Sequence, residues 1–268
     1  MNAATLSVIL DEVGVRRRGR VILRGVSMRC ERGSVTVIRG ANGAGKSTLL
    51  GVATGLVKPS RGTVVSRNLT TSYLSERFSP PSAMDVRSYM KWIAGTRGVP
   101  RRARDKEIAA SLESLGFAGS MGPMRLLSKG NLQRVGLASA LIGSPEFIVL
   151  DEPFSGIDSA GEELVARAIG EASAAGSTML LVHHGKTTVQ ASQSLWLEEG
   201  TLHNASRPSA RFDIHAATNA NVPDLPQTAT ATPASHGRVV ISTDSSTLEP
   251  TLLAIFAAGW TVHGMEQR

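Results

Sequence analysis

Gly40 to Thr48 reads GANGAGKST, an order of glycines, one lysine and two hydroxyls suited to holding phosphate. Gly40, Gly45, Lys46 and Ser47 fit the pattern G-x-x-x-x-G-K-S/T, which follows the apolar run VTVI as that pattern requires. Its glycines let successive backbone N–H groups point inward at a β-phosphate, where a Cβ would clash. Lys46 would then reach β- and γ-oxygens, and the Ser47 hydroxyl would ligate Mg²⁺. The expected cofactors are ATP and Mg²⁺. The expected cradle is Gly40, Ala41, Asn42, Gly43, Ala44, Gly45, Lys46, Ser47 and Thr48.

FIVLDEP, Phe147 to Pro153, supplies a second piece. An apolar strand ending in a carboxylate delivers Asp151 to a Mg²⁺ shell, and Glu152 is placed to polarise an attacking water as general base. Alone, an acidic strand end is common. Behind a phosphate loop it is specific.

With these two pieces in order, the chain resembles the ATP-binding-cassette (ABC) ATPase family over roughly residues 6–204. LLSKGNLQRVGLASAL lies where that family has its signature loop and following helix. Ser128 and Gly130 match the signature's serine and second glycine, and Gln133 and Arg134 match its trailing Q-R. SGID, Ser155 to Asp158, matches the D-loop, and LLVHHG matches the switch-histidine segment, where the spacing favours His184 over His183. A histidine at such a strand end can donate a hydrogen bond to a γ-phosphate. The resemblance therefore implies catalytic roles for Glu152, His184 and Lys46. It implies metal contacts from Ser47, Asp151 and Glu76. It also implies two ATPase subunits, homo- or heterodimeric, arranged head to tail, with Ser128 and Gly130 of one gripping the nucleotide of the other.

Four positions depart from the common pattern. Lys129 and Asn131 replace a glycine and a glutamine of the signature. Glu76 stands where a glutamine is usual; it offers an oxygen to a Mg²⁺ shell but no amide N–H. The aromatic residue that usually stacks on adenine is missing, and Arg17 lies near its position. An arginine plane can stack on a base.

These groups must be carried by alternating strands and helices. VTVIRG, FIVLD and TMLLVH read as short strands, and FIVL and MLLV lack polar alternation, which suits a parallel sheet buried on both faces. DVRSYMKWIAG places Val86, Tyr89, Met90 and Ile93 on one helical face with Asp85 as N-cap. RDKEIAASLESLG does the same with Ile108, Leu112 and Leu115, and ends at Gly116. With the resemblance, the expected fold is α/β: a P-loop NTPase cassette of the ABC type with a parallel-sheet core, an N-terminal antiparallel β region and a helical subdomain over about 77–130. That ATPase domain would span 1–205. Residues 206–236, rich in Ala, Thr, Pro and Ser, read as linker, and 237–268 as a small C-terminal βαβ appendage.

Composition narrows the purpose. Cys30 is the single cysteine, so no disulfide framework exists. The longest apolar run, Leu252 to Trp260, is far short of a spanning helix, and the N-terminus lacks a basic-then-apolar leader. The net charge is +7, made of +8 before residue 207 and −1 after it, and aromatics make up only 4%, so stacking platforms for single strands are not evident. The stretch Tyr73 to Gly98 is similar to the helical entry of exporter-type subunits serving drugs or antibiotics. The expected function is the ATP-binding and ATP-hydrolysing subunit of an ABC transporter, as an exporter. It would sit peripherally at the cytoplasmic face of the membrane through separate transmembrane permease subunits, with no direct nucleic-acid contact. The alternatives are a soluble ABC ATPase acting on nucleic acid or ribosomes, and a regulatory module that holds ATP without turnover.

Overall fold

Runs such as FIVL and MLLV need apolar surface on both sides, and the computed structural model supplies it. It describes residues 6–66, 69–81, 84–184, 189–204, 211–217, 225, 229–234, 238–244 and 248–267. They fall into two units, 1–205 and 206–268.

In the first unit, β1 (Leu6–Arg17) and β2 (Arg20–Glu31) form a hairpin, and β3 (Val35–Arg39) leads into α1 (Lys46–Ala53). Next come β4 (Arg61–Ser66), β5 (Thr71–Leu74), α2 (Val86–Thr96), α3 (Arg104–Ser114) and α4 (Lys129–Leu141). The unit closes with β6 (Phe147–Asp151), α5 (Ser159–Ala174), β7 (Thr178–Val182), β8 (Gln193–Glu198) and β9 (Thr201–Asn204). One sheet has the order β2-β1-β4 and is antiparallel. The other has the order β5-β6-β7-β3-β8-β9, parallel except for β9. The Arg16–Arg18 basic cluster is at the hairpin tip, where Arg18 (φ 46°) and Gly19 (φ 78°) make the two-residue turn with positive φ that suits twisted strands.

Strand pleating explains the missing alternation. Successive side chains point to opposite faces, and each face of the parallel sheet has its own core. Phe147 and Val149 of β6, with Leu180 and Val182 of β7, pack on one side with α1 and the antiparallel sheet. Ile148 and Leu150, with Met179 and Leu181, pack on the other side with residues of α2 to α5. All ten residues of β6 and β7 are buried.

The helical region carries the expected faces. Val86, Tyr89 and Met90 are buried on α2, Ile108 and Leu112 on α3, and Leu115 just beyond. Asp85 caps α2, its Oδ1 accepting from the Ser88 N–H at 2.6 Å. The expected end near residue 130 falls at the first turn of α4, whose buried residues Val135, Leu137 and Ala138 belong to the same core.

The second unit corrects the linker expectation. Within 206–236 lie β10 (Arg211–Ala217) and β11 (Thr230–Ala234), followed by β12 (Arg238–Asp244), α6 (Leu248–Ala257) and β13 (Thr261–Gln267). Their sheet has the order β11-β12-β10-β13, so β10 separates the two strands of the expected βαβ unit and pairs antiparallel with both. The physical reason is alternation hidden by composition: Ile214 and Ala216 point into a core with Ile241, Ile255 and Trp260. The rest of that stretch, apart from residues 225 and 229, lies outside the described residues.

Candidate active site

Ligands of open parallel sheets bind beyond the carboxyl ends of the strands, and this sheet sends its chemistry there. The phosphate loop follows β3, Glu76 follows β5, Asp151 ends β6, and His183 and His184 follow β7. Because β5, β6, β7 and β3 are consecutive neighbours, the four groups meet in one cleft of about 690 Å³. Its lining includes Asn42, Gly43, Gly45, Lys46, Ser47, Thr48, Glu76, Asp151, Glu152, His183 and His184.

The loop's path requires glycine at its entrance. Gly40 has φ 150°, and a Cβ there would run into the Leu197 carbonyl of β8. Lys46, buried at the start of α1, donates from Nζ to the Gly40 and Ala41 carbonyls, each at 2.9 Å. Burial pulls its ammonium below the usual lysine range, while Glu152, Asp151 and Glu76 pull it back up. The cation is thus wrapped in its own loop, facing three carboxylates.

Asp151 is buried and its carboxyl is pushed up, first by that burial. A hydrogen bond from Ser47 and the charge of Lys46 oppose the rise, and the nearby Glu76 and Glu152 charges add to it. Tyr73 of β5, which the sequence reasoning passed over, also hydrogen-bonds Asp151. Burial and that carboxylate push the phenol up to about 12. The signal for it was slight: one aromatic at a strand position whose neighbours in TSYL are buried.

Oxygen donors of this kind, a hydroxyl and carboxylates, suit Mg²⁺, which keeps waters and phosphate oxygens rather than a closed protein cage. Among the described residues no group of three His, Cys, Asp or Glu side chains forms such a cage. A cationic loop, a carboxyl raised first by burial and then by neighbouring carboxylates, and a backbone cradle all fit a magnesium-bound triphosphate.

Glu152 has φ 50°, an uncommon backbone state for a residue with a side chain. Gln133 of α4 holds it there, donating from Nε2 to the Glu152 and Pro153 carbonyls at 3.3 and 3.1 Å. Both histidines approach the carboxylate: His183 Nδ1 is 3.2 Å from Oε2, and His184 Nε2 is 3.2 Å from Oε1. His184, favoured by spacing, is therefore joined by His183, whose ring also packs on Phe154 with centroids 4.8 Å apart.

Ser128 and Gly130 are not among the residues lining this cleft. Ser128 caps α4, its hydroxyl accepting from the Asn131 N–H at 3.3 Å. Gly130 lies against the Gly156 carbonyl, and the Lys129 stem crosses Gly156. Arg134 reaches Asp158 at 2.7 Å and the Leu115 carbonyl at 3.0 Å. The signature segment is thus packed on the Ser155–Asp158 turn. Arg17, the candidate for base stacking, does not line the cleft either; Ile22 of β2 does.

Comparison with known proteins agrees with this geometry. Residues 23–155 match the family described as ABC transporter. A zinc import ATP-binding protein ZnuC of Pseudomonas aeruginosa (strain UCBPP-PA14) is 37% identical over 166 residues, 61% of this chain and 60% of that one. ZnuC of Rhizobium johnstonii is 34% identical over 187 residues, 69% of this chain and 60% of the relative. The match thus spans about 60% of the length of these curated relatives. Among solved structures, an ATP-binding subunit of an ABC transporter is similar with TM-score 0.68 at 20% identity, over 74% of this chain and 89% of that one. A dimeric ATP-binding cassette bound to ADP and Pi is similar with TM-score 0.66 at 20% identity, over 74% and 98%. Those two likenesses concern the fold alone. Residues 23–155, which hold the phosphate loop, the Asp151–Glu152 pair and the signature segment, are thus similar to the ABC transporter family.

Proposed function

We propose that the chain binds and hydrolyses MgATP in this cleft and so powers a membrane transporter whose spanning parts are other polypeptides. The observation that carries the reading is the convergence of Lys46, Asp151, Glu152 and two histidines at adjacent strand ends. Lys46 exchanges the Gly40 and Ala41 carbonyls for phosphate oxygens, and the loop amides hold the β-phosphate. Ser47 and Asp151, with Glu76, are the residues that would hold Mg²⁺, and the ion would supply positive charge to offset that of the phosphates. Glu152 takes a proton from water as its oxygen bonds to the γ-phosphorus and the bond to the β-phosphate oxygen breaks. His184 donates to the γ-phosphate.

Ser128 and the amides around Gly130 lie outside the cleft of their own chain, which supports a role toward the nucleotide of a second subunit. Among the described residues no helix is long and apolar enough to cross a membrane, in keeping with permease partners on separate chains. The exporter expectation gains no support: the curated relatives are named for zinc import, and their names favour that direction. They lend none to a nucleic-acid role either. Purified protein should hydrolyse MgATP, and Glu152→Gln should lower kcat by about 10²-fold or more while MgATP still binds. Turnover by that variant at the parental rate would remove Glu152 as the base.

A further inference from the structure

Glu152 is held asymmetrically, and the asymmetry separates the two histidines. His183 Nδ1 and Glu152 Oε2 form a hydrogen bond at 3.2 Å. A carboxylate only accepts, so Nδ1 carries the proton and donates. Oε1 is buried and has no hydrogen-bond partner: His184 Nε2 is 3.2 Å away but outside hydrogen-bonding geometry. The exposures differ in the same sense. The His183 side chain is 14% exposed and braced by the Phe154 ring, whereas that of His184 is 42% exposed. The His183 backbone is fixed too, its N–H donating to the Ile38 carbonyl of β3 at 3.3 Å.

We propose that His183 is a positioning residue that locks Oε2 of Glu152, leaving Oε1 as the oxygen that accepts the proton of the attacking water. The proposal rests on the hydrolytic reading above and divides the histidine pair into two tasks. His183 stays with the base through the cycle. His184, the looser of the two, covers Oε1 until a γ-phosphate draws it away and water can reach that oxygen. A base oriented by a third group is the general arrangement of activated nucleophiles. Here the orienter precedes the phosphate-sensing histidine by one residue. The two rings approach the same carboxylate, one to each oxygen.

The test uses the full chain and compares the parent with His183→Ala, His183→Asn, Glu152→Gln and the Glu152→Gln/His183→Ala double variant. Steady-state hydrolysis gives kcat and KM, and equilibrium binding gives the Kd for MgATP. His183→Ala should lower kcat about tenfold, part of the roughly 10²- to 10⁴-fold that a general base contributes, with KM and Kd within about twofold of the parent. His183→Asn places an amide N–H where Nδ1–H stood and should regain most of the loss. The double variant should be no slower than Glu152→Gln. Parental kcat in His183→Ala overturns the proposal. So does a loss that asparagine does not regain, or one that persists at full size when Glu152 is already glutamine. If Glu152→Gln stalls while His183→Ala is parental, only this inference falls. If Glu152→Gln turns over normally, the base assignment itself falls.

Discussion

Asp151 shows at the scale of one residue how function strains against stability. Its carboxyl is raised above the ordinary aspartate value by burial, so the folded protein binds that proton more tightly than the unfolded chain. The stability contributed by protonation is full below the unfolded value of about 3.9 and is lost as pH rises through the raised folded value. Burial therefore makes the ionised form of this carboxyl unfavourable in the nucleotide-free protein, and the Glu76 and Glu152 charges add to that. Asp151→Asn should raise the Tm of the nucleotide-free protein, while Mg²⁺-dependent stabilisation by ATP is lost; thermal unfolding with and without MgATP reads both effects. An unchanged response to MgATP would exclude Asp151 from the metal site. That Lys46, Ser47, Asp151 and Glu152 share one cleft was legible because motif spacing encodes their placement at strand ends. Tyr73 and His183 were not, since their parts depend on which strands become neighbours, and that order is set by tertiary pairing.

At the scale of elements, the sheet positions the chemistry through close backbone contact. Gly40 is where β3 turns into the phosphate loop against the Leu197 carbonyl of β8. Gly40→Ala should destabilise the first unit by about 2–4 kcal/mol, because the added Cβ meets backbone that cannot yield without shifting β8. Denaturant unfolding measures this, and a loss under about 0.5 kcal/mol would mean the loop relocates freely. The helices were read well from sequence for a local reason. The Asp85 cap and the 3.6-residue faces of α2 and α3 involve residues within a few positions of one another. The strands of the second unit were missed for the opposite reason. RFDIHAA has a period of two, but it lies inside a stretch whose bulk composition is that of a linker, and only pairing with β12 and β13 reveals the buried row.

For the whole molecule, the two units have cores with no residue in common. Among the described residues, Ile214, Ala216, Ile241, Ile255 and Trp260 close one within 206–268, while the cores of the first unit draw on residues before 205. A chain ending at residue 205 should therefore fold and bind MgATP within about threefold of the full-length affinity. Failure to fold would show that the second unit completes the first.

One helix ties together what a single site description keeps apart. Ser128 caps the start of α4, and Gln133, five residues on, grips the carbonyls of Glu152 and Pro153. α4 is one uninterrupted rod of 13 residues, about 20 Å long at 1.5 Å per residue. Under the proposed function, a few degrees of roll that seated Ser128 on a neighbour's nucleotide would also drag Gln133, and with it the backbone of Glu152. Such a rod is a crankshaft: its two pins turn together or not at all, so the strokes of paired sites would be geared rather than merely simultaneous.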